Sequence, residues 1–159
     1  MSGDEQTLVI YTDGGCHGNP GPGGWAFVIQ HQNSIVSGSG AESYTTNNRM
    51  ELRAVIEALK KASELISQRG GAGGCDADLF TDSQYVRGGI SDWISRWKRN
   101  GWKTSAGKPV KNQELWRELA EWAQDIEIRW HWVKGHAGNE RNELCDSLVQ
   151  EAIATLRSS

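Results

Sequence analysis

Cysteine is scarce in this 159-residue chain, with three residues and no CxxC pair. Cys16, Cys75 and Cys145 are odd in number and far apart, which argues against a disulfide framework and against a zinc site. Long apolar runs are absent too. Nothing approaches the roughly 18 residues a membrane span needs, and MSGDEQTLVI has neither the basic nor the apolar region of a secretory leader. There is no internal repeat. These absences point to a cytoplasmic protein, and the length suits one domain, residues 1–159, with a full core.

Net charge is small, but it is unevenly spread. Between Arg87 and Lys111 the only acid is Asp92, against Arg87, Arg96, Lys98, Arg99, Lys103, Lys108 and Lys111. That stretch carries +6, which leaves −9 for the rest of a chain whose total is −3. Trp93, Trp97 and Trp102 are interleaved with the basic residues. An acidic body with one basic, aromatic projection suits a polyanion gripped on one side.

The periodicity suggests an α/β protein. TLVIYTDGG, WAFVIQHQ and IVSGSGAES read as three antiparallel strands, with CHGNPGPGG as a Gly/Pro turn between the first two. Leu52, Val55, Ile56 and Leu59 recur at helical spacing, with Thr46 or Asn47 suited to cap the helix and Glu51 expected in its first turn. ADLFTD reads as a short central strand and QYVRGGISDWISRW as a helix broken at Gly88-Gly89. NQELWRELAEWAQ is an amphipathic helix, IEIRWHWV a strand, KGHAGN a loop, and NELCDSLVQEAIATL a last helix burying Cys145, Leu148, Val149, Ala152 and Leu156. Trp116, Trp122, Trp130 and Trp132 follow the apolar faces and are expected to be structural. The order βββαβααβα implies a five-stranded mixed sheet, with β1-β2-β3 antiparallel and β–α crossovers after them, flanked by helices.

Four acids stand out by their settings: Asp13 in IYTDGG, Glu51 in TTNNRMEL, Asp82 in FTDSQ and Asp146 in NELCD. The first three lie where an apolar run ends or a helix begins, places from which side chains can converge. Converging carboxylates repel one another and are costly to bury without cations. Hard divalent ions such as magnesium are the natural counter-charge. Metal-dependent phosphoryl transfer is the leading reading of the residues alone; a simple N-cap role for Asp82 stays open.

The strings YTDGGCHGNPGPGG, TTNNRMEL, TDSQYV, WKRNGWKT, PVKN and WVKGHAGNERNELCD, in that order, closely resemble the type 1 ribonucleases H, in particular the stand-alone bacterial enzymes. The resemblance runs from about Leu8 to about Ala154. It implies the ribonuclease H-like fold and an endoribonuclease that hydrolyses the RNA strand of RNA–DNA hybrids, leaving 5′-phosphate and 3′-hydroxyl ends, with little sequence preference. It implies two magnesium ions with substrate, manganese substituting, held by Asp13, Glu51, Asp82 and Asp146, and Asp13 bridging them. His136 would activate water or carry a proton at product release.

The resemblance also implies substrate contacts. Cys16, Asn19, Thr46, Asn47, Asn48 and Gln84 match positions facing the minor groove, where 2′-hydroxyls mark RNA and amides can donate and accept. Trp93, Trp97, Lys98, Arg99, Trp102 and Lys103 match the basic protrusion that grips the DNA strand. Of Trp93 and Trp97, one is expected inside and one on the substrate. No obligate protein partner and a monomer are expected. Asn100 stands where many relatives carry a third basic residue, and QRGGAGGCDAD is longer and richer in glycine than the usual link. An integrase-like enzyme would share the acids but not TTNNRMEL with the basic protrusion. A binding module would keep the protrusion and lose the acids. A reverse-transcriptase portion is disfavoured by the methionine start and single-domain length.

Overall fold

The computed structural model describes residues 7–68, 76–104, 106–133 and 140–158. The strands β1 (Leu8–Cys16), β2 (Gly21–His31), β3 (Ser34–Thr45), β4 (Asp76–Thr81) and β5 (Glu127–Trp132) form one sheet in the order β3-β2-β1-β4-β5. β1–β2 and β2–β3 pair antiparallel, and β1–β4 and β4–β5 pair parallel. This is the expected mixed sheet, with β1 the third of five strands and β4 inside the sheet between β1 and β5.

Helix α1 (Asn47–Gln68) has an apolar stripe at three- and four-residue spacing, and Leu52, Val55, Ile56 and Leu59 bury it against Leu8, Ile10, Phe27 and Ile29 of the sheet. Each fully buried aliphatic side chain contributes roughly 1.5–3 kcal/mol. Helix α4 (Gln113–Ala123) lies beside α1, adding Leu115, Trp116 and Leu119 to the same core. Helix α5 (Glu140–Ser158) takes the other face, where Val149 and Ile153 pack on Ala26. Ala26 and Phe27 serve opposite layers because neighbouring strand residues point to opposite faces.

Several elements depart from the expected pattern. GPGG is strand, not turn: β2 starts at Gly21, and Gly24 and Gly23 pair with Gly15 and Cys16. Gly88 and Gly89 do not break their helix. Both have helical dihedrals, and α2 (Gln84–Gly88) runs through a π-helical turn (Gly89–Trp93) into α3 (Ile94–Arg99). A Cβ on Gly88 would lie 2.7 Å from the Trp93 ring, and one on Gly89 would overlap the Trp116 ring. These glycines make room for indoles. In α5 the fully buried line is Cys145, Val149 and Ile153, while Leu148, Ala152 and Leu156 are only half-buried. The Gly70–Gly74 stretch and Cys75 lie outside the described residues.

Candidate active site

Tyr11 and Phe80 are in register on the parallel pair β1–β4. Two residues further on, Asp13 and Asp82 therefore leave the same edge of the sheet. Asp13 pairs with Ala26, which turns it to the face that α5 covers. Gly14 is what lets α1 approach, since a Cβ there would sit 2.5 Å from the Glu51 backbone nitrogen. Carboxylate oxygens of Asp13, Glu51 and Asp82 all lie within 4.8 Å of one another. Gly24 does the same for α5: its Cβ would lie 3.0 Å from the Val149 carbonyl oxygen. That close seating brings Asp146 to the wall of the same cleft, about 460 Å³, together with Asn47, Asn48 and Gln84.

Glu51 is the fifth residue of α1 and so lies beyond its first turn; Thr46 is the cap, its hydroxyl accepting from the Arg49 N–H at 3.2 Å. Burial pushes the Glu51 carboxyl up to about 7, against a hydrogen bond from the Ser83 hydroxyl and with help from the nearby Asp82 and Asp13 charges. Ser83, almost fully buried, also accepts from the Val86 N–H at 3.0 Å and caps α2. The cap role that Asp82 could have filled belongs to Ser83, and Asp82 faces the cleft instead. Cys145 lies under the site, its Sγ 3.4 Å from the Tyr11 carbonyl, with burial and the Asp13 charge pushing the thiol up to about 12. It is inert there. Three crowded carboxylates, one of them held toward its neutral form by its surroundings, fit a hard divalent cation, which would relieve that crowding.

The groove-facing candidates divide. Asn47, Asn48 and Gln84 line the carboxylate cleft. Cys16 is held by backbone, donating to the Gly21 and Thr45 carbonyls at 3.3 Å. Asn19 accepts from the Asn47 N–H at 3.1 Å, tying the β1–β2 loop to the start of α1.

A second cleft, about 360 Å³, is walled by Tyr85, Trp93 and Trp97 and carries Arg96, Lys103 and Lys111. Trp93 and Trp97 do not divide into one inside and one outside. Both are half-buried, their rings 5.7 Å apart, and Trp97 also meets Trp116 and Trp102 at 5.5 and 6.1 Å. Lys98 and Arg99 are exposed at the end of α3, beside that cleft and not in it. Trp116 is fully buried, as expected of a structural residue. His136 lies outside the described residues.

Sequence reasoning missed Ser83, Tyr85 and Gln150, and counted Arg96 and Lys111 only within the basic stretch. Tyr85 accepts from Asn112 Nδ2 at 3.1 Å and from Trp116 Nε1 at 3.0 Å, which fixes its ring in the wall of the second cleft. The capping preference of serine was a readable signal for Ser83. The spacing from Trp93 to Arg96 was another, since it puts both on one helical face.

Comparison with known proteins is consistent along most of the chain. The family model for RNase H matches residues 5–154. A ribonuclease H of Marinobacter nauticus is 50% identical over 153 residues, 96% of this chain and 97% of that protein. One from Brucella anthropi is 52% identical over 146 residues, 92% and 89% of the two chains. Among solved structures, LC9-RNase H1, a type 1 RNase H with the type 2 active-site motif, superposes with a TM-score of 0.78 at 31% identity, covering 94% of this chain and 73% of that one. LC11-RNase H1, solved in complex with an RNA/DNA hybrid, gives 0.66 at 26% identity, covering 95% and 99%.

Proposed function

The chain belongs to the ribonuclease H family, and from that premise we propose that its four-carboxylate cleft hydrolyses the RNA strand of RNA–DNA hybrids. The observation that carries the site assignment is the meeting of Asp13, Glu51 and Asp82 within 4.8 Å, with Asp146 on the wall beside them. Magnesium, with manganese as substitute, is the proposed ion, two of them with substrate. Bound there, the ions supply the positive charge that an attacking water and a leaving 3′-oxygen need. Cleavage leaves 5′-phosphate and 3′-hydroxyl ends.

The chain's own part is placement. Asp13 is fixed by the sheet, and Asp82 by the end of β4 and the Ser83 cap. Glu51 is held from α1 by Ser83, and Asp146 from α5. His136 is proposed to carry the proton of water or product. Asn47, Asn48 and Gln84, whose amides both donate and accept, suit 2′-hydroxyl readout beside the carboxylates. The indole- and cation-lined second cleft suits the DNA strand, with Lys98 and Arg99 adding charge at its edge. This readout checks sugar and shape, so little sequence preference is expected. The protein is proposed to act as a cytoplasmic monomer with one catalytic domain, residues 1–159.

The test is incubation with a labelled hybrid, with magnesium or with a chelator, beside duplex DNA, duplex RNA and Asp13→Asn. The expected result is metal-dependent cutting of the hybrid's RNA strand alone, lost in the variant. Binding without cutting would leave a hybrid-binding module, and cutting of duplex DNA an integrase-like enzyme.

A further inference from the structure

The loop joining β1 to β2 reaches the helix on the far wall of the carboxylate cleft. His17 Nε2 lies 3.0 Å from Gln150 Oε1. With the Gln150 amide oxygen turned to His17, the imidazole donates from Nε2, in the tautomer or charge state that carries a proton there. Gln150 follows Asp146 by four residues on α5, which sets it on the same helical face about 6 Å further along. It lines the cleft that holds the carboxylates. With its oxygen engaged by His17, the Gln150 side chain offers the cleft an NH₂ group, a donor only.

Among so many carboxylates, a donor-only group selects for an oxygen with no proton to give. A non-bridging phosphate oxygen meets that description. A 2′-hydroxyl can be served equally by the two-way amides of Asn47 and Asn48. We propose that Gln150 binds a non-bridging oxygen of the RNA-strand phosphate next to the one cleaved. His17 is then a positioning residue, turning the amide so that its NH₂ faces the strand. The proposal rests on the cleft being the cleavage site.

Steady-state kinetics on a hybrid test it, with Gln150→Ala, His17→Ala, the double variant, Gln150→Lys in the His17→Ala background, and thermal midpoints alongside. Gln150→Ala and His17→Ala should each raise KM by roughly tenfold or more, the loss of one hydrogen bond to a charged group, with kcat changed less than about twofold. The double variant should be no worse than Gln150→Ala, because the two residues act as one unit. Lysine needs no partner to present donors, so Gln150→Lys should restore KM without His17.

A methylphosphonate at the adjacent phosphate should raise KM for the unaltered enzyme and leave Gln150→Ala unchanged. An unchanged KM in Gln150→Ala would overturn the proposal. So would additive penalties, or a methylphosphonate effect that persists without Gln150. If 2′-deoxy substitution at that nucleotide moves the unaltered enzyme but not Gln150→Ala, the acceptor is the sugar and the phosphate assignment fails. The cleft reading fails separately, by cleavage surviving in Asp13→Asn.

Discussion

Tyr11 and Phe80 stack across the parallel β1–β4 pair with ring centroids 5.0 Å apart and planes 16° from parallel, each two residues before a cleft carboxylate. His131 of β5 continues the row, its ring 4.5 Å from Phe80. The rings register three strands side by side just below the point where Asp13 and Asp82 emerge. Removing one is expected to loosen the relative placement of those two acids.

Phe80→Ala should therefore lower both stability and turnover. Phe80 is only half-buried, so a loss of about 2 kcal/mol is expected, short of that for a fully buried phenylalanine. Denaturant midpoints and kcat at saturating hybrid check this. A stability loss with unchanged kcat would mean the stack does not position the acids.

Glu51→Gln should abolish cleavage yet stabilise the metal-free protein at alkaline pH. The folded-state value is raised from 4.5 to about 7, so the folded chain favours the protonated carboxyl. The stability this contributes is fully present below the unfolded value and is lost as pH rises through about 7, roughly 3 kcal/mol in all. With a chelator present, the variant should melt higher than the parent at about pH 8, and the gap should close toward about pH 4. A gap independent of pH would contradict the assignment.

Asp78 accepts from Arg129 Nε at 2.8 Å and pairs with His131 Nε2 at 2.9 Å. The hydrogen bond from Arg129 outweighs burial and holds the Asp78 carboxyl below its ordinary value. Its stability contribution is present above the unfolded value and is lost as pH falls through the lower folded one. Asp78→Asn should make the acid limb of the melting curve shallower. Because the network is solvent-facing, the effect should be small and should shrink in high salt.

Gly89→Ala places a methyl against the fully buried Trp116 ring and forces the ring to shift within the core. A cost of about 2 kcal/mol is expected from overpacking. The displaced ring borders Tyr85 and Trp97, so KM for the hybrid should rise with kcat nearly intact. Urea midpoints and steady-state kinetics decide it.

Reversing the charge of Lys98 and Arg99 should raise KM several-fold and flatten the salt dependence by about one to two counter-ions, with turnover nearly unchanged. A collapse of turnover with affinity intact would remove these residues from substrate binding.

The acids, the helix stripes and the sheet's mixed character were legible because they are local. A strand's end, a helix's period and a capping threonine each follow from a few adjacent residues, and Asp13, Glu51 and Asp82 lie where an apolar run ends or near where a helix begins. Pairwise packing was not legible. Gly88-Gly89 reads as a break by backbone propensity, yet it is helical because two indoles from other turns occupy the space a Cβ would take. Cys145, Val149 and Ile153 form the buried line of α5 because Gly24 seats that helix closely, a contact between residues over a hundred positions apart.

His17 and Gln150, 133 positions apart, carry no mark in the sequence at all. Composition and short-range pattern thus determined which chemistry the chain carries and on which elements. Only the tertiary structure decided which helix closes on which strand and which amide faces the cleft. Those choices are made by steric fit between distant residues, and no short window of sequence contains them.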